Sequence, residues 1–322
     1  MTSSLAARSI AAGMVQAPLA TPAGVRMLDA SPDDWVRVFD EFAAIGFDAI
    51  EIHDNWLRFA DLSVERRRDL LHSARSSGLA VPAVTVARSS IIDPVDGAAN
   101  LAYSHRAIDA AAELGAGVIC LGLHRPLLPA QRSALWFWAE QGSVDPDDDE
   151  VWAAAVRGFR DLGIHAAGVG VAVSLELYED TYLGTSASAV RLIEEIGLDT
   201  VGLNPDLGNL IRLHRPVERW DDLLRATLPY ANYWHVKNYL RDEDPASGQI
   251  TTSPSSLESG IINYRDATRL AAESGYPGIF TCEHYGGDSL GVSARNRDYL
   301  RSLLIAADRS TAAAPIGLTE RS

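Results

Sequence analysis

One pattern repeats along the chain and leaves it little freedom of fold. A short run rich in Val, Ile and Leu is followed by apolar residues at helical spacing, and the helical stretch then closes at a glycine. The spacing predicts strands at 10–15, 47–53, 79–87, 117–123, 171–178, 200–206, 233–238 and 279–284. Between and after them it predicts helices beginning at Ser31 and at 64–77, 100–114, 150–167, 186–196, 217–228, 264–274 and 293–307. Ser31-Pro32-Asp33-Asp34 shows how such a helix starts: a capping serine, proline in the first turn, and acids that complement the helix dipole. Gly46, Gly78, Gly115, Gly197 and Gly275 stand where helices should stop.

Strictly alternating strands and helices specify a parallel sheet covered by helices, and here a (β/α)8 TIM barrel. An open doubly wound sheet is the runner-up; no Gly-x-Gly-x-x-Gly follows the first strand, which counts against it. The chain has 322 residues and is 47% hydrophobic, enough for one large barrel without a second core. A single domain is therefore expected over 1–309, with a disordered tail at 310–322 and a loose start at 1–8. Two insertions, 124–149 after strand 4 and 240–262 after strand 7, fall on the rim where barrels place their chemistry. The first carries Trp136-Phe137-Trp138, which reads either as local packing or as a lid or partner surface.

The net charge of −15 disfavours a nucleic acid partner. No run of about 18 apolar residues suggests a membrane span, and the start lacks a basic region before an apolar core. Cys120 and Cys282 sit in apolar runs and read as buried thiols of a reducing compartment. A cytoplasmic setting is expected.

The run Asn232-Tyr233-Trp234-His235-Val236-Lys237-Asn238 alternates polar and apolar residues, so Tyr233, His235 and Lys237 share one face of a strand. Strands 5, 6 and 8 end in the same manner on Glu176, Asp206 and Glu283. Glu176, Asp206 and His235 follow one another at roughly 30 residues, one βα unit each. Parity sends Glu176, Asp206, His235 and Glu283 towards the barrel axis, while Leu175, Leu177, Leu203, Trp234 and Cys282 face the helices. Three carboxylates and an imidazole form a hard donor set suited to Mn²⁺ first, with Mg²⁺, Co²⁺ or Zn²⁺ as alternatives. Such an ion could chelate a vicinal hydroxy-carbonyl compound and stabilise the oxyanion formed when a neighbouring carbon loses its proton. Glu51, His53, His124, Lys237, Arg241, His284 and Tyr285 surround this set. His124 is the best single base at neutral pH, against a structural role. Lys237 reads as a substrate contact or as the partner of an inward acid, and parity turns His284 away from the axis.

At these residues the chain resembles the xylose isomerase-like sugar phosphate isomerase/epimerase superfamily, over about 10–304. The resemblance implies a TIM barrel with one divalent ion on Glu176, Asp206, His235 and Glu283. It also implies Glu176 and Glu283 as an acid/base pair and Arg241 as a substrate contact, beside which His53 and Lys237 stand as candidate substrate contacts from strand parity. Two positions depart from the pattern: Asn209 stands where many members carry His, and Asn238 where they carry Asp. The Tyr-Trp-His-Val-Lys-Asn run and His124 resemble the α subunit of C-glycoside deglycosidases. That branch implies a small β subunit as partner and a 3-oxo-C-glycoside of an aromatic aglycone as substrate. It also implies His124 as the base, and carbon–carbon lyase action. The alternative is a keto-sugar or sugar phosphate isomerase or epimerase. A metal-dependent DNA repair endonuclease, which shares the barrel, would need more His ligands and a less acidic chain.

Overall fold

The computed structural model describes residues 4–313. Eight parallel strands, β1 (Ile10–Gly13), β2 (Ala49–His53), β3 (Ala80–Thr85), β4 (Val118–Leu121), β5 (Ala172–Glu176), β6 (Val201–Asn204), β7 (Trp234–Val236) and β10 (Phe280–Cys282), form one sheet. Their order is β6-β5-β4-β3-β2-β1-β10-β7, so consecutive βα units lie side by side around a nearly closed barrel. At the β6/β7 seam a single parallel bridge joins Leu203 to Ala231. There the Asn204 side chain stands in for the backbone ladder, its Oδ1 accepting the His235 N–H at 2.8 Å.

Helices α1 (Pro32–Ala44), α2 (Val64–Ser76), α3 (Gly97–Leu114), α5 (Asp149–Val169), α6 (Ser186–Ile196), α8 (Trp220–Thr227), α9 (Tyr264–Ser274) and α10 (Ser289–Ala313) cover the outside. Two short helices, α4 (Pro129–Ser133) and α7 (Leu207–Ile211), lie in the loops after β4 and β6. Helix α1 starts as its sequence predicts: the Ser31 side chain accepts the Asp34 N–H, and Asp34 accepts from the Ser31 N–H at 3.1 Å. Its buried stripe is Trp35, Val38, Phe39 and Phe42. The outward strand residues Leu175, Leu177, Leu203, Trp234 and Cys282 are buried against the helices. Each such leucine contributes about 1.5–3 kcal/mol of transfer free energy. Both thiols are buried and free, and burial pushes each above its ordinary pKa, so they behave as small apolar groups.

Three sequence expectations change at the ends and in the insertions. The described part of the expected loose start, 4–8, is anchored, and 1–3 lie outside the described residues: Leu5 N–H and Ala6 N–H donate to Asp308 at 3.0 and 2.8 Å, and Arg301 Nη1 bonds the carbonyls of Ala6 and Arg8. The last helix runs to Ala313, past the point where a tail was expected; the rest of that tail, 314–322, lies outside the described residues. The segment after β7 is a hairpin, β8 (Asn238–Glu243) paired antiparallel with β9 (Ile250–Ser255). The aromatic run after β4 folds inward onto this hairpin. Trp138 is buried, stacks on Trp136 at 5.0 Å between ring centres, and donates its indole N–H to Thr252 Oγ1 at 3.0 Å. No helix among the described residues is long and apolar enough to cross a membrane.

Candidate metal centre

Strands β5, β7 and β10 and the turn after β6 bring four side chains to the C-terminal mouth of the barrel. Glu176 ends β5, and His235 lies in β7. Glu283 follows β10, and Asp206 is the N-cap of α7. All four are buried, and one donor atom from each lies within 4.8 Å of the other three. His235 Nδ1 faces Glu176 Oε1 at 3.2 Å, Glu283 Oε1 at 3.6 Å and Asp206 Oδ2 at 3.7 Å. Its Nε2 faces Glu51 Oε1 at 3.0 Å. Without an ion Nδ1 keeps a proton that faces the three carboxylates; with Nε2–H held by Glu51, Nδ1 is the nitrogen that can give up its proton to an ion.

This donor set fits a divalent ion. Ligands at about 2.1 Å from an octahedral centre stand about 3 Å apart when adjacent and about 4.2 Å apart when opposite. Without an ion, three carboxylates in one buried spot repel each other, and their burial is costly. Burial raises the Asp206 pKa. Burial acts on Glu176 in the same direction, but hydrogen bonds from His124 and His235 hold it well below the carboxylate range. Burial lowers the His235 pKa, and the charges of Glu51 and Glu283 overcome this and push it well above that of an ordinary imidazole.

The surroundings fix the ligands. Glu176 Oε1 accepts from Asn209 Nδ2 at 2.9 Å, and Glu176 Oε2 lies 3.1 Å from His124 Nε2. Asn209, whose amide also donates to the Leu177 carbonyl at 3.0 Å, thus positions a ligand from the place that departs from the superfamily pattern. Gly122 is needed below His124, because a Cβ there would collide with the imidazole. Glu51, named from strand parity alone, orients His235. Since a carboxylate behind a ligating imidazole raises its basicity, Glu51→Gln is expected to weaken Mg²⁺ or Mn²⁺ binding by about 10- to 100-fold in a calorimetric titration. Unchanged affinity would mean that Glu51 does not set the ligand.

The remaining residues named from the sequence fall in different places. Lys237 Nζ is 2.6 Å from Glu283 Oε2 and 2.5 Å from Asp206 Oδ2, so its charge offsets two of the acids and is not free for substrate. The Asp206 contact is an ion pair outside hydrogen-bond geometry, since Oδ2 has no hydrogen-bond partner. No hydrogen bond or ion pair among the described residues joins Arg241 to the four ligands. The turn of β8 into the hairpin carries it to the carbonyls of Ile211, Leu213 and Arg215, at 3.0, 2.6 and 2.6 Å. His53 is buried; its Nδ1 accepts from the Asn55 N–H at 3.3 Å, and no hydrogen bond among the described residues joins it to the four ligands. His284, turned outward as parity requires, lines a small cavity with Gln16, Phe42 and Leu290.

Asn238 takes no part in the chemistry. Its amide donates to the carbonyls of Leu257 and Ile262 at 2.9 Å each, and its Oδ1 accepts from the N–H groups of Ile262 and Tyr239. An aspartate there would set an oxygen against two carbonyls. Asn238→Asp is therefore expected to cost about 2 kcal/mol or more, read from the urea midpoint. A midpoint equal to that of the parent would contradict this assignment.

Sequence reasoning missed Arg212, which is fully buried and gives both Nη2 contacts to Glu179, at 3.0 and 2.9 Å. One signal could have found it: Arg212 stands six residues after Asp206, as Arg241 stands six after His235.

Residues 39–303 match a protein family described as xylose isomerase-like TIM barrel. Among solved structures, a xylose isomerase-like TIM barrel protein from Mycobacterium smegmatis in complex with magnesium has a TM-score of 0.90 at 43% identity, over 95% of this chain and 99% of that one. An L-ribulose 3-epimerase has a TM-score of 0.65 at 16% identity, over 97% and 100%. A 3-keto-D-glucoside 4-epimerase from E. coli has 0.61 at 17% identity, over 92% and 99%. The two epimerases, at such identity, share the fold. No protein of curated function matches the chain.

Proposed function

The chain belongs to the xylose isomerase-like TIM-barrel family, and on that premise we propose that it is a divalent-metal-dependent enzyme that removes a proton from the carbon beside a sugar carbonyl. Glu176, Asp206, His235 Nδ1 and Glu283 would hold the ion, which supplies Lewis acidity to the substrate oxygens. The relative's magnesium complex makes Mg²⁺ the first ion to add, beside the Mn²⁺ that the donor set suggests.

One observation carries the finer reading. His124 keeps its Nε2 on Glu176, while its Nδ1 is buried with no hydrogen-bond partner among the described residues. If Nε2 carries the proton, Nδ1 keeps a lone pair that no other group uses, which makes it the nitrogen able to accept a carbon-bound proton. Glu176, in contrast, has both oxygens against nitrogen atoms and is held strongly acidic. Epimerisation requires a second proton carrier on the opposite face of the sugar; elimination requires one base.

The asymmetry favours a lyase acting on a 3-oxo-C-glycoside. His124 takes the proton from C2, and the electrons of that C–H bond form the C1–C2 double bond. The C1–aryl pair leaves with the aryl carbon, which is then protonated. A small partner chain is part of this reading. The keto-sugar isomerase or epimerase remains the second reading because two structural neighbours are epimerases.

The test is incubation with 3-oxo C- and O-glycosides in deuterated solvent, with Mg²⁺ or Mn²⁺ present or chelated, with and without a co-expressed small chain. Aglycone release supports the lyase. Deuterium uptake at the sugar without release supports the isomerase or epimerase. Neither event, with the ion bound, would overturn the proposal.

A further inference from the structure

The mouth of the barrel has a second pole, opposite in charge to the first. Arg212 lies with its guanidinium carbon 4.8 Å from the ring centre of Phe137 and 5.3 Å from that of Tyr178. Glu179 occupies only Nη2; Nε and Nη1 are buried and meet no hydrogen-bond acceptor among the described residues. The Tyr178 hydroxyl is likewise buried without a hydrogen-bond partner among the described residues, while the Tyr239 hydroxyl faces the Arg212 guanidinium, which offsets part of the rise that burial gives its pKa. Arg88, just past β3, rests on the same two rings, at 5.0 and 5.9 Å. Its backbone is left-handed, with φ of 55°, a conformation costly for a side chain with a Cβ and found most often where a site needs it. Its one hydrogen bond among the described residues goes to the Arg125 carbonyl at 3.2 Å, and no carboxylate pairs with it.

Two aromatic side chains connect this pole to the metal centre. The Tyr178 ring meets the His124 ring edge-on at 4.1 Å. The Tyr285 ring lies 5.5 Å from Lys237 Nζ and 6.0 Å from the Phe137 ring. One end of the mouth therefore gathers carboxylates and the other gathers guanidinium groups, in a chain whose net charge is −15. Buried donors without acceptors are expensive unless a ligand completes them. Glu179 balances one guanidinium, and the charge left over is that of a single cation.

We propose that Arg88 and Arg212 form an oxyanion subsite for the end of the substrate remote from its carbonyl, and that this end is a monoanion, a carboxylate or a phenolate. The inference rests on the metal-centred reading for the word substrate, while the subsite itself is testable without turnover. Phenolate would place an acidic aromatic aglycone against Phe137 and Tyr178; carboxylate would make the substrate a sugar acid.

The test uses full-length protein loaded with Mg²⁺. D-gluconate, 4-nitrophenolate and the neutral polyol D-glucitol are titrated by tryptophan fluorescence, and Arg88→Gln, Arg88→Lys and Arg212→Gln are compared with the parent. At least one anion is expected to bind about tenfold or more tighter than glucitol, with a preference that falls as salt rises. Arg88→Gln, on a half-buried side chain, should abolish that preference, and Arg88→Lys should keep part of it. Whichever anion prevails assigns the source. Gluconate held only by the ion would be indifferent to Arg88→Gln. Equal binding of anions and polyol, no binding of either anion, or a preference that survives Arg88→Gln would each overturn the inference. Repeating the titration in His235→Ala separates the two proposals: an anion preference that persists when the ion is lost belongs to the arginines alone.

Discussion

Replacing His235 with alanine is expected to abolish binding of the dication and to reduce turnover by about a thousandfold or more, because the ion and the imidazole that fixes it disappear together. The substitution removes the one nitrogen donor, whose Nδ1 faces three carboxylates at 3.2 to 3.7 Å. It also leaves Glu51 buried without its imidazole partner. In the parent protein, excess Mg²⁺ should raise the melting temperature, since a ligand at a hundred times its Kd stabilises the folded state by about 2.7 kcal/mol. That rise should vanish in the variant. Asp206→Asn is the gentler control. Asparagine can still cap α7, as Asp206 Oδ1 does for the Asn209 N–H at 3.3 Å, but it withdraws one negative charge from the ion. Loss of the ion-dependent rise in both variants, with a normal circular dichroism spectrum, is the expected result. Full activity in either, without metal, would remove the basis of the proposed function.

His124→Gln should spare the ion and cost the chemistry. Glutamine keeps a hydrogen-bond donor within reach of Glu176 but offers no base at the position of Nδ1. The expected loss in kcat is about 10²- to 10⁴-fold, the usual contribution of a positioned general base, with metal affinity changed less than tenfold. Deuterium uptake from solvent at the sugar carbon should fall by the same factor, because that readout follows the proton and not the later bond cleavage. A merely structural His124 would instead weaken metal binding and leave the exchange per bound ion unaltered. Activity within tenfold of the parent would pass the role of base to Glu283, and with it the second reading, an epimerase.

Local signals account for what the sequence made legible. Helices α6 and α9 occupy the expected bounds, because a polar N-cap and a closing glycine are written within each segment. The helix expected from 217 begins only at Trp220, since Glu218 is drawn off to accept from Ser186, and Arg219 takes the N-cap. The metal quartet was readable for a related reason: strand parity gives the face, and the end of a strand gives the height, so two short-range facts locate each donor. Helix α7 was not foreseen, although Asp206 caps it three residues before Asn209. Arg212 follows from α7, and its burial depends on Phe137, Trp138 and Glu179, which lie far away in the chain. Parity alone could not place Arg241 either. Its side chain is set by the antiparallel register of the hairpin, Arg241 opposite Thr252, and by the carbonyls left open after α7. Lys237 was placed on the correct face, but its two carboxylate partners became evident only once β7, β10 and α7 met.

Anomalous diffraction from crystals soaked in Mn²⁺ addresses the central claim with least intervening inference. The account predicts one strong peak among Glu176, Asp206, Glu283 and Nδ1 of His235, with Nε2 of that ring still on Glu51. A peak elsewhere, no peak at saturating Mn²⁺, or a ring turned to bind through Nε2 would contradict it.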